Sequence, residues 1–446
     1  MRHDVGMTTA TCFRSPSLLL PREGQDLSRW CVIACDQYTS EPDYWARVAA
    51  AVGDAPSTLQ LIYPEVFLNA GDKPERIARI QAAMRQTLQQ GLLRPHEGVV
   101  LVERHLPDGR VRRGLMLELD LDHYDYAPTS QSLIRPTEGT IVERIAPRVA
   151  VRQGAELELP HILVLIDDPG CTVIEPLAAT RGRLTPLYDT PLMLNGGRVA
   201  GWAPDAAAQA QALQALQALA DGPAFAARHG LAPDAPPMQF AMGDGNHSLA
   251  TAKACWEQLK AAGASPEHPA RWALVEVENI HDPALSFSPI HRLLMGVRGD
   301  VKALLHQHFG GQVHLTDLAS AEAMRAAVAA QARTVHAAGL VQPGGRFALV
   351  VLQGMPAAQL DVASFQGFVD ALVEQGAAHE VDYVHGDEAL AQLAAAPACA
   401  GLHLATLGKS ELIGRVARHG PLPRKSFSMG EADEKRFYLE ARRIRG

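Results

Sequence analysis

An apolar run, a glycine-rich turn and a helical segment follow one another in FAMGDGNHSLATAKACWEQL, residues 240–259. The apolar run predicts a short buried strand and the segment after Ser248 predicts a helix, so that residues 243–248 form the connection. Gly243 and Gly245 permit positive φ angles and close approach of the backbone to a ligand. This order of elements places polar side chains where a strand runs into a helix.

The polar residues of this connection suit the binding and transfer of a phosphoryl or acyl group. Amides at the start of a helix are unpaired and favour an anion. Asp244 and His247 form a candidate acid–base pair, and Asn246 or Ser248 could donate to an oxygen atom. The alternative is an ordinary helix cap, formed by Asp244 or Asn246, with His247 merely exposed. The pattern matches neither a P-loop, nor a zinc-binding HExxH helix, nor an EF-hand.

Length, charge and cysteine content narrow the class of protein. The 446 residues predict two or three domains, and we expect one at 1–200 and a second, carrying this connection, at 201–446. The formal net charge of −8 disfavours a nucleic-acid or anionic-membrane surface. No stretch approaches the about 18 to 20 apolar residues of a membrane span. The six cysteines include no Cys-x-x-Cys pair, so we expect buried, reduced thiols in a cytoplasmic protein.

Periodicity predicts both helices and strands. Residues 74–93 have the apolar spacing of a helix, and residues 98–126 predict a hairpin around Pro-Asp-Gly. We expect an extended segment at 144–152 and an alternating strand in 271–282. The composition shifts over 296–400, which indicates a smaller α/β unit, inserted or appended. The predicted fold class is α+β, with mixed sheets and surrounding helices.

Three other segments carry candidate ligand-binding residues. Asp36 ends a predicted buried strand in CDQYTSEPDYW, where α/β sites usually lie, and the alternative is a capped helix start. Arg144 and Arg148 in TEGTIVERIAPR could clamp a phosphate or belong to a charged strand edge. Lys425 and Ser428 in LPRKSFSMGEADEKRFY could wrap an anionic ligand or belong to a solvated tail.

One pair of aspartates and one pair of histidines each have an ordinary structural explanation. Asp167 and Asp168 in LIDDP could hold a divalent cation, although such a pair more often ends a strand in a turn. His281 and His291 lie near one another in the sequence, and a structural role is the default for each.

Seven segments resemble the bacterial and archaeal family known as domain of unknown function 1015, namely WCVIACDQYTSEPDYW, GDAPSTLQLIYPEVFL, TEGTIVERIAPR, ELPHILVLIDD, MGDGNHSLATAKACWE, SPIHR and LPRKSFSMGEADEKRFYLEARR. The resemblance runs from about residue 12 to the C-terminus. That family commonly has Asp-Gly-His-His-Arg where this chain has Asp244 to Ser248, so the arginine is absent here. A similar element in free-serine kinases of the ParB/sulfiredoxin-like fold lies at a helix start and binds nucleotide phosphates.

The resemblance implies a ParB-like core and a small-molecule phosphotransferase, or another phosphate-handling enzyme, acting on serine or a related hydroxylated metabolite. The implied cofactor is ATP or ADP with Mg²⁺, and the implied partner is a small molecule rather than a membrane or a nucleic acid. The catalytic candidates are Asp244, His247 and Asp36. The phosphate- and ligand-binding candidates are Gly243, Gly245, Asn246, Ser248, Arg144, Arg148, Lys425 and Ser428. Two alternatives stay open, a non-catalytic nucleotide-binding regulatory protein and an ester or phosphoester hydrolase.

Overall fold

The computed structural model describes residues 11–331, 335–356 and 359–445, except for the side chain of Arg144. Its strands, in chain order, are β1 (Phe13–Arg14), β2 (Ser17–Pro21), β3 (Val32–Ile33), β4 (Leu93–Glu97), β5 (Leu101–His105), β6 (Val111–Asp120), β7 (Ile134–Arg135), β8 (Leu157–Glu158), β9 (Leu163–Ile166), β10 (Thr185–Pro191), β11 (Arg198–Ala203), β12 (Phe240–Asp244), β13 (Trp272–Asn279), β14 (Phe287–Met295), β15 (Val313–Leu318), β16 (His336–Gln342), β17 (Arg346–Leu352), β18 (Glu380–His385), β19 (Cys399–Leu404), β20 (Phe427–Met429), β21 (Phe437–Tyr438) and β22 (Arg442–Arg443).

The α-helices, in chain order, are α1 (Leu27–Trp30), α2 (Pro42–Val52), α3 (Lys73–Gln89), α4 (Ile145–Arg152), α5 (Glu175–Ala179), α6 (Ala206–Ala218), α7 (Gly222–His229), α8 (Asn246–Ala261), α9 (Val301–Phe309), α10 (Ala321–Ala329), α11 (Asp361–Glu374), α12 (Asp387–Ala394) and α13 (Lys409–His419). No helix within the described residues is long and apolar enough to cross a membrane.

The chain divides into two compact units. The first comprises the described residues up to Leu285 together with those from Gly430 onward, and the second comprises Ser286–Met429. The predicted boundary at residue 200 falls inside the first unit, because strands from both sides of it join one sheet. The second unit contains the region of shifted composition at 296–400.

Nine strands form the sheet of the first unit, in the order β10-β11-β5-β6-β13-β9-β12-β7, with β1 paired to β6. The pairs β12–β7 and β13–β9 are parallel, and the other pairs are antiparallel. The second unit has the sheet β15-β17-β16-β19-β14-β18, with β20 paired to β14, and its pairs are antiparallel throughout. The fold is α+β with mixed sheets, as predicted.

Side-chain alternation divides the apolar residues of the first unit between two cores. Leu115, Leu117 and Leu119 of β6 enter the core that includes residues of α6 and α8, whereas Met116 enters the core beside α2 and α3. Both faces of the sheet are therefore covered, which buries the central strands on both sides. The alternation predicted for residues 271–282 is present in β13, and its polar face is buried as well.

The C-terminal segment covers that polar face. Strand β21 pairs with β3, and β22 pairs with β8. Arg436 forms an ion pair with Glu276 of β13, and Arg442 Nε donates to Glu158 Oε1 at 2.8 Å. These arginines are almost fully buried, so this part of the chain belongs to the core. The alternative of a solvated tail is wrong here, because the arginines need the buried carboxylates as partners.

One element and the burial of three cysteines differ from expectation. Residues 144–152, predicted to be extended, form α4. Pro147 lies near the start of α4, where its missing N–H costs little, and Ile145 and Val149 pack into the core beside α8. The cysteines are free thiols, as expected, but Cys171 is exposed, and Cys35 and Cys399 are only partly buried.

Candidate functional site

The connection between β12 and α8 is a single residue, Gly245, because β12 ends at Asp244 and α8 begins at Asn246. Gly245 has a φ of 79°, and a Cβ at this position would lie 3.1 Å from the Cα atom of Ile162. Both the conformation and the space therefore require glycine. The predicted strand–turn–helix order is confirmed, with a shorter connection than expected. No side chain caps α8, so the ordinary helix cap does not explain the motif.

The corner formed by the end of β12, Gly245 and the start of α8 includes the carboxylate of Asp244, which Lys435 holds in place. The Nζ atom of Lys435 lies 3.0 Å from Oδ2, and the N–H of Gly245 donates to Oδ1 at 2.9 Å. Burial is the largest single influence on the pKa of Asp244 and raises it, but Lys435, His161 and the Gly245 N–H together outweigh burial. The pKa is therefore lowered, and Asp244 is ionised at neutral pH with its charge compensated locally.

His161 joins Ser248 to Tyr438. The Ser248 Oγ atom lies 2.8 Å from Nε2 of His161, and the Tyr438 hydroxyl lies 2.8 Å from Nδ1. The backbone N–H of Cys35 donates to the Tyr438 hydroxyl at 3.0 Å, which lets the hydroxyl direct its own hydrogen toward Nδ1. A neutral His161 then carries its hydrogen on Nε2, facing Ser248. Burial raises the pKa of Tyr438, which keeps its hydroxyl protonated.

Two further carboxylates lie beside His161. Asp36 Oδ2 lies 3.8 Å from Nε2 of His161. Glu65 Oε1 accepts a hydrogen bond from Arg148 Nε at 2.9 Å. Burial raises the pKa of Glu65, Arg148 opposes that increase, and Asp36 adds to it. Asp36 and Glu65 are thus close enough to repel each other, and Arg148 and His161 offset the repulsion.

A cavity of about 160 Å³ lies next to this group. Its polar lining residues are Glu65, Arg148, Arg152, Glu158, His161, Ser248, Thr251 and Tyr438. The rest of the wall is largely apolar and includes Leu61, Ile62, Met84, Ala155, Leu157 and Leu274. A mostly apolar concave site with a few convergent polar groups is the usual form of a small-molecule pocket.

A buried carboxylate of β13 is electrostatically linked to the corner. Glu278 Oε1 lies 2.6 Å from Arg112 Nε. Burial raises the pKa of Glu278 to about 7, with Arg112 opposing the increase and Asp282 and Asp244 adding to it. The charge on Asp244 therefore influences the protonation of Glu278.

In the second unit, Arg292 of the SPIHR segment binds the backbone of the LPRKSFSMG segment. It is fully buried, and its guanidinium donates to Lys425 O at 2.8 Å and to Arg424 O at 3.3 Å. Lys425 has a positive φ of 59°. Ser428 lies in β20, opposite Ser288 of β14. Arg292 thus fixes the backbone of this segment against its own sheet.

His291, Asp387 and His403 bring potential metal-ligand atoms within 4.8 Å of one another in the second unit. The backbone N–H of Leu404 donates to His291 Nδ1 at 3.1 Å. The hydrogen of the neutral ring is therefore on Nε2, which donates to Asp387 at 3.0 Å. A metal ion at Nε2 would have to displace that hydrogen while Nδ1 is still an acceptor. The group is a hydrogen-bonded network, and His291 has the structural role expected of it.

The Asp167–Asp168 pair is also structural. Asp168 Oδ2 accepts hydrogen bonds from the backbone N–H groups of Thr172 and Val173, which makes a turn after β9. Asp167 is surrounded by cations or hydrogen-bond donors from Arg228, His229 and His281. Burial raises the pKa of Asp167, but these neighbours outweigh burial and lower it. The strand-ending turn, and not a divalent-cation site, accounts for the pair.

A family model described as "Protein of unknown function (DUF1015)" matches residues 19–371. The chain belongs to this family. No curated protein matches the DUF1015 chain.

Solved structures resemble the DUF1015 chain at low identity. A free serine kinase in complex with AMP is 12% identical, covers 74% of this chain and 91% of its own, and gives a TM-score of 0.36. A conserved hypothetical protein from Pyrococcus furiosus is 12% identical, with coverages of 74% and 95% and a TM-score of 0.35. SbnI from Staphylococcus aureus, with a C-terminal truncation, is 12% identical, with coverages of 71% and 82% and a TM-score of 0.34.

The structure brings part of the predicted site together. Asp36, Asp244, Ser248 and Arg148 lie around His161 or line its cavity. Gly243, Gly245, Asn246 and His247 belong to the same corner, at the end of β12 and the start of α8. The side chain of Arg144 lies outside the described residues. Lys425 and Ser428 belong to the second unit.

Three residues of this group, His161, Lys435 and Tyr438, had no local signal in the sequence. Each lies in a segment that carried the family resemblance, ELPHILVLIDD or GEADEKRFYLEARR. Their partners are far away in the chain: Ser248 is 87 residues from His161, and Tyr438 is 277 residues from it. The pairing of β12 with β9 brings Ser248 to His161, and the return of the C-terminal segment to the first unit brings Tyr438 there.

Proposed function

We propose that the first unit transfers a phosphoryl group between a nucleotide and a small hydroxylated metabolite. The observation that carries this proposal is the corner at Gly245, where the start of α8, the Asp244–Lys435 ion pair and His161 lie together. Phosphoryl transfer depends mainly on positioning and on neutralising charge. This corner offers both beside a cavity for a second substrate.

The phosphate side would use the first turn of α8. The N-terminal amides of a helix and its dipole favour an anion. Lys435 adds a fixed positive charge, which a phosphate would share with Asp244.

The acceptor side would use Asp36 and His161. With its hydrogen on Nε2, His161 would donate rather than accept there, and the base for a substrate hydroxyl would be Asp36, whose Oδ2 lies 3.8 Å from Nε2. The hydroxyl oxygen attacks the terminal phosphorus of the nucleotide, its proton moves to Asp36, and the nucleoside diphosphate leaves. Asn246 Oδ1 is buried and has no hydrogen-bond partner among the described residues, which suits a hydroxyl donor on the ligand.

Calorimetric titration with ADP and ATP, with and without Mg²⁺, is the direct test. We expect both nucleotides to bind, and we expect Asp36→Asn to retain ADP binding while lowering turnover by about 10²-fold or more. Turnover is followed by ³¹P NMR with L-serine and other hydroxylated acceptors. The absence of any nucleotide binding with Mg²⁺ would contradict the proposal. Binding without turnover on any acceptor would favour the non-catalytic regulatory protein.

The 2.8 Å contact between Ser248 Oγ and His161 Nε2 favours a second candidate, an ester or phosphoester hydrolase with Ser248 as nucleophile. That role needs Nε2 without its hydrogen, which is the opposite tautomer to the one that Tyr438 favours. Covalent labelling of Ser248 by a fluorophosphonate, lost in Ser248→Ala, would support the hydrolase against the phosphotransferase.

A further inference from the structure

The cavity of the first unit has more apolar room than serine would fill. Its volume is about 160 Å³, and an apolar cavity of about 150 Å³ in another protein holds a benzene molecule. The six apolar wall residues Leu61, Ile62, Met84, Ala155, Leu157 and Leu274 are all buried. A serine hydroxyl placed at His161 would bring only one methylene into this space, and most of the wall would lack a contact partner.

The charged side chains of the cavity are already paired with each other. Glu65 pairs with Arg148, and Glu158 pairs with Arg152 and Arg442. A ligand that brings an additional charge into this space must break one of these pairs, which is costly in a partly buried site. An uncharged body breaks none of them, and it gains by leaving water.

We propose that the hydroxylated metabolite is an amphipathic alcohol with an uncharged alkyl or aryl body of about six to eight carbons. Its hydroxyl lies beside His161 and Ser248, and its body lies against the apolar lining residues Met84, Ala155 and Leu274. The role of the hydroxyl as phosphoryl acceptor rests on the proposed function, whereas the size and polarity of the body rest on the cavity alone.

Calorimetric titration of the full chain with straight-chain primary alcohols, from 1-propanol to 1-octanol, tests the cavity directly. Affinity should rise about fourfold per added methylene, the equivalent of about 0.8 kcal/mol, and should level off at about six or seven carbons as the space is filled. Benzyl alcohol should bind more tightly than L-serine. Affinity that is independent of chain length, or L-serine binding more tightly than 1-hexanol, would overturn the proposal.

Two variants change the size of the cavity in opposite directions. Ala155→Leu should move the levelling point to alcohols that are two or three carbons shorter, because the added side chain occupies the wall. Leu159→Ala, at another lining position, should move the levelling point to longer alcohols. This variant provides the test if Ala155→Leu does not fold. Ala49→Leu, the same change on an exposed position of α2, should leave the series unchanged. A levelling point unmoved by both cavity variants would refute the assignment of the body to this cavity.

Titration of the same samples with ADP and Mg²⁺ separates this proposal from the proposed function. ADP binding without chain-length dependence among the alcohols overturns the amphipathic substrate and leaves the phosphotransferase standing. Chain-length dependence without ADP binding supports the amphipathic ligand and overturns the phosphotransferase.

Discussion

Replacing Lys435 by methionine removes the cation that holds Asp244 and should destabilise the first unit. The Lys435 Nζ and Asp244 Oδ2 atoms are 3.0 Å apart, and the exposed fractions of their side chains are 8% and 25%. At an effective dielectric constant of about 20, two unit charges at this separation attract by about 5 kcal/mol before desolvation is counted. Removing one partner of a buried pair costs about 3 to 5 kcal/mol. Because Asp244 is a quarter exposed, water screens part of its charge, and we expect about 2 to 3 kcal/mol.

Urea unfolding of Lys435→Met, followed by circular dichroism, measures this cost. Lys260→Met is the matched control, because Lys260 pairs with Glu257 and both side chains are about 40% exposed; we expect it to cost less than about 1 kcal/mol. Asp244→Asn should recover part of the loss when combined with Lys435→Met, since no unpaired carboxylate is then left. A Lys435→Met variant as stable as the control, or additive effects in the double variant, would refute the ion-pair argument.

Three further outcomes are expected. Gly245→Ala should weaken ADP binding and lower the free energy of unfolding by at least about 1 kcal/mol, because the added Cβ atom meets Ile162. Gly263→Ala is the control, since Gly263 also has a positive φ but open space around it. It should leave ADP binding, measured by calorimetry, unchanged. Burial lowers the pKa of His291 to about 4. The free energy of unfolding therefore does not depend on this group above the ordinary histidine pKa of about 6.5, and it falls at lower pH, by about 2 kcal/mol at pH 5. Urea unfolding should show this pH dependence in the native protein and less of it in His291→Gln. Arg292→Met should cost about 3 kcal/mol or more, since it leaves buried carbonyls without donors, and should expose residues 424–428 to limited proteolysis, unlike Arg346→Met at an exposed position.

Local patterns in the sequence were sufficient for most elements that frame the site. The helical spacing of α3, the Pro-Asp-Gly hairpin of β5 and β6, and the alternation of β13 are all present in the structure. The exception is α4, where valine and proline suggested an extended segment. Its packing beside α8 outweighs the weak preferences of those residues, because intrinsic propensities amount to a few tenths of a kcal/mol per residue.

The candidate site was predictable only in part. Asp36, Asp244 and Ser248 were recognisable because they adjoin strand or helix ends, where the backbone itself is polar and exposed to ligands. The contacts of His161 with Ser248 and with Tyr438 had no such signal. An ion pair or hydrogen bond between distant segments depends on the path of the chain, which no local pattern records.

By itself, the sequence determined that an apolar strand must turn through a glycine into a helix at residues 240–261, because φ preference and periodicity act over a few residues. Only the tertiary structure decided which side chains meet there. The C-terminal segment returns to the first sheet and brings Lys435 to Asp244 and Tyr438 to His161. The physical reason is that the buried carboxylates of the sheet face need cations, and Arg436 and Arg442 from that segment supply them.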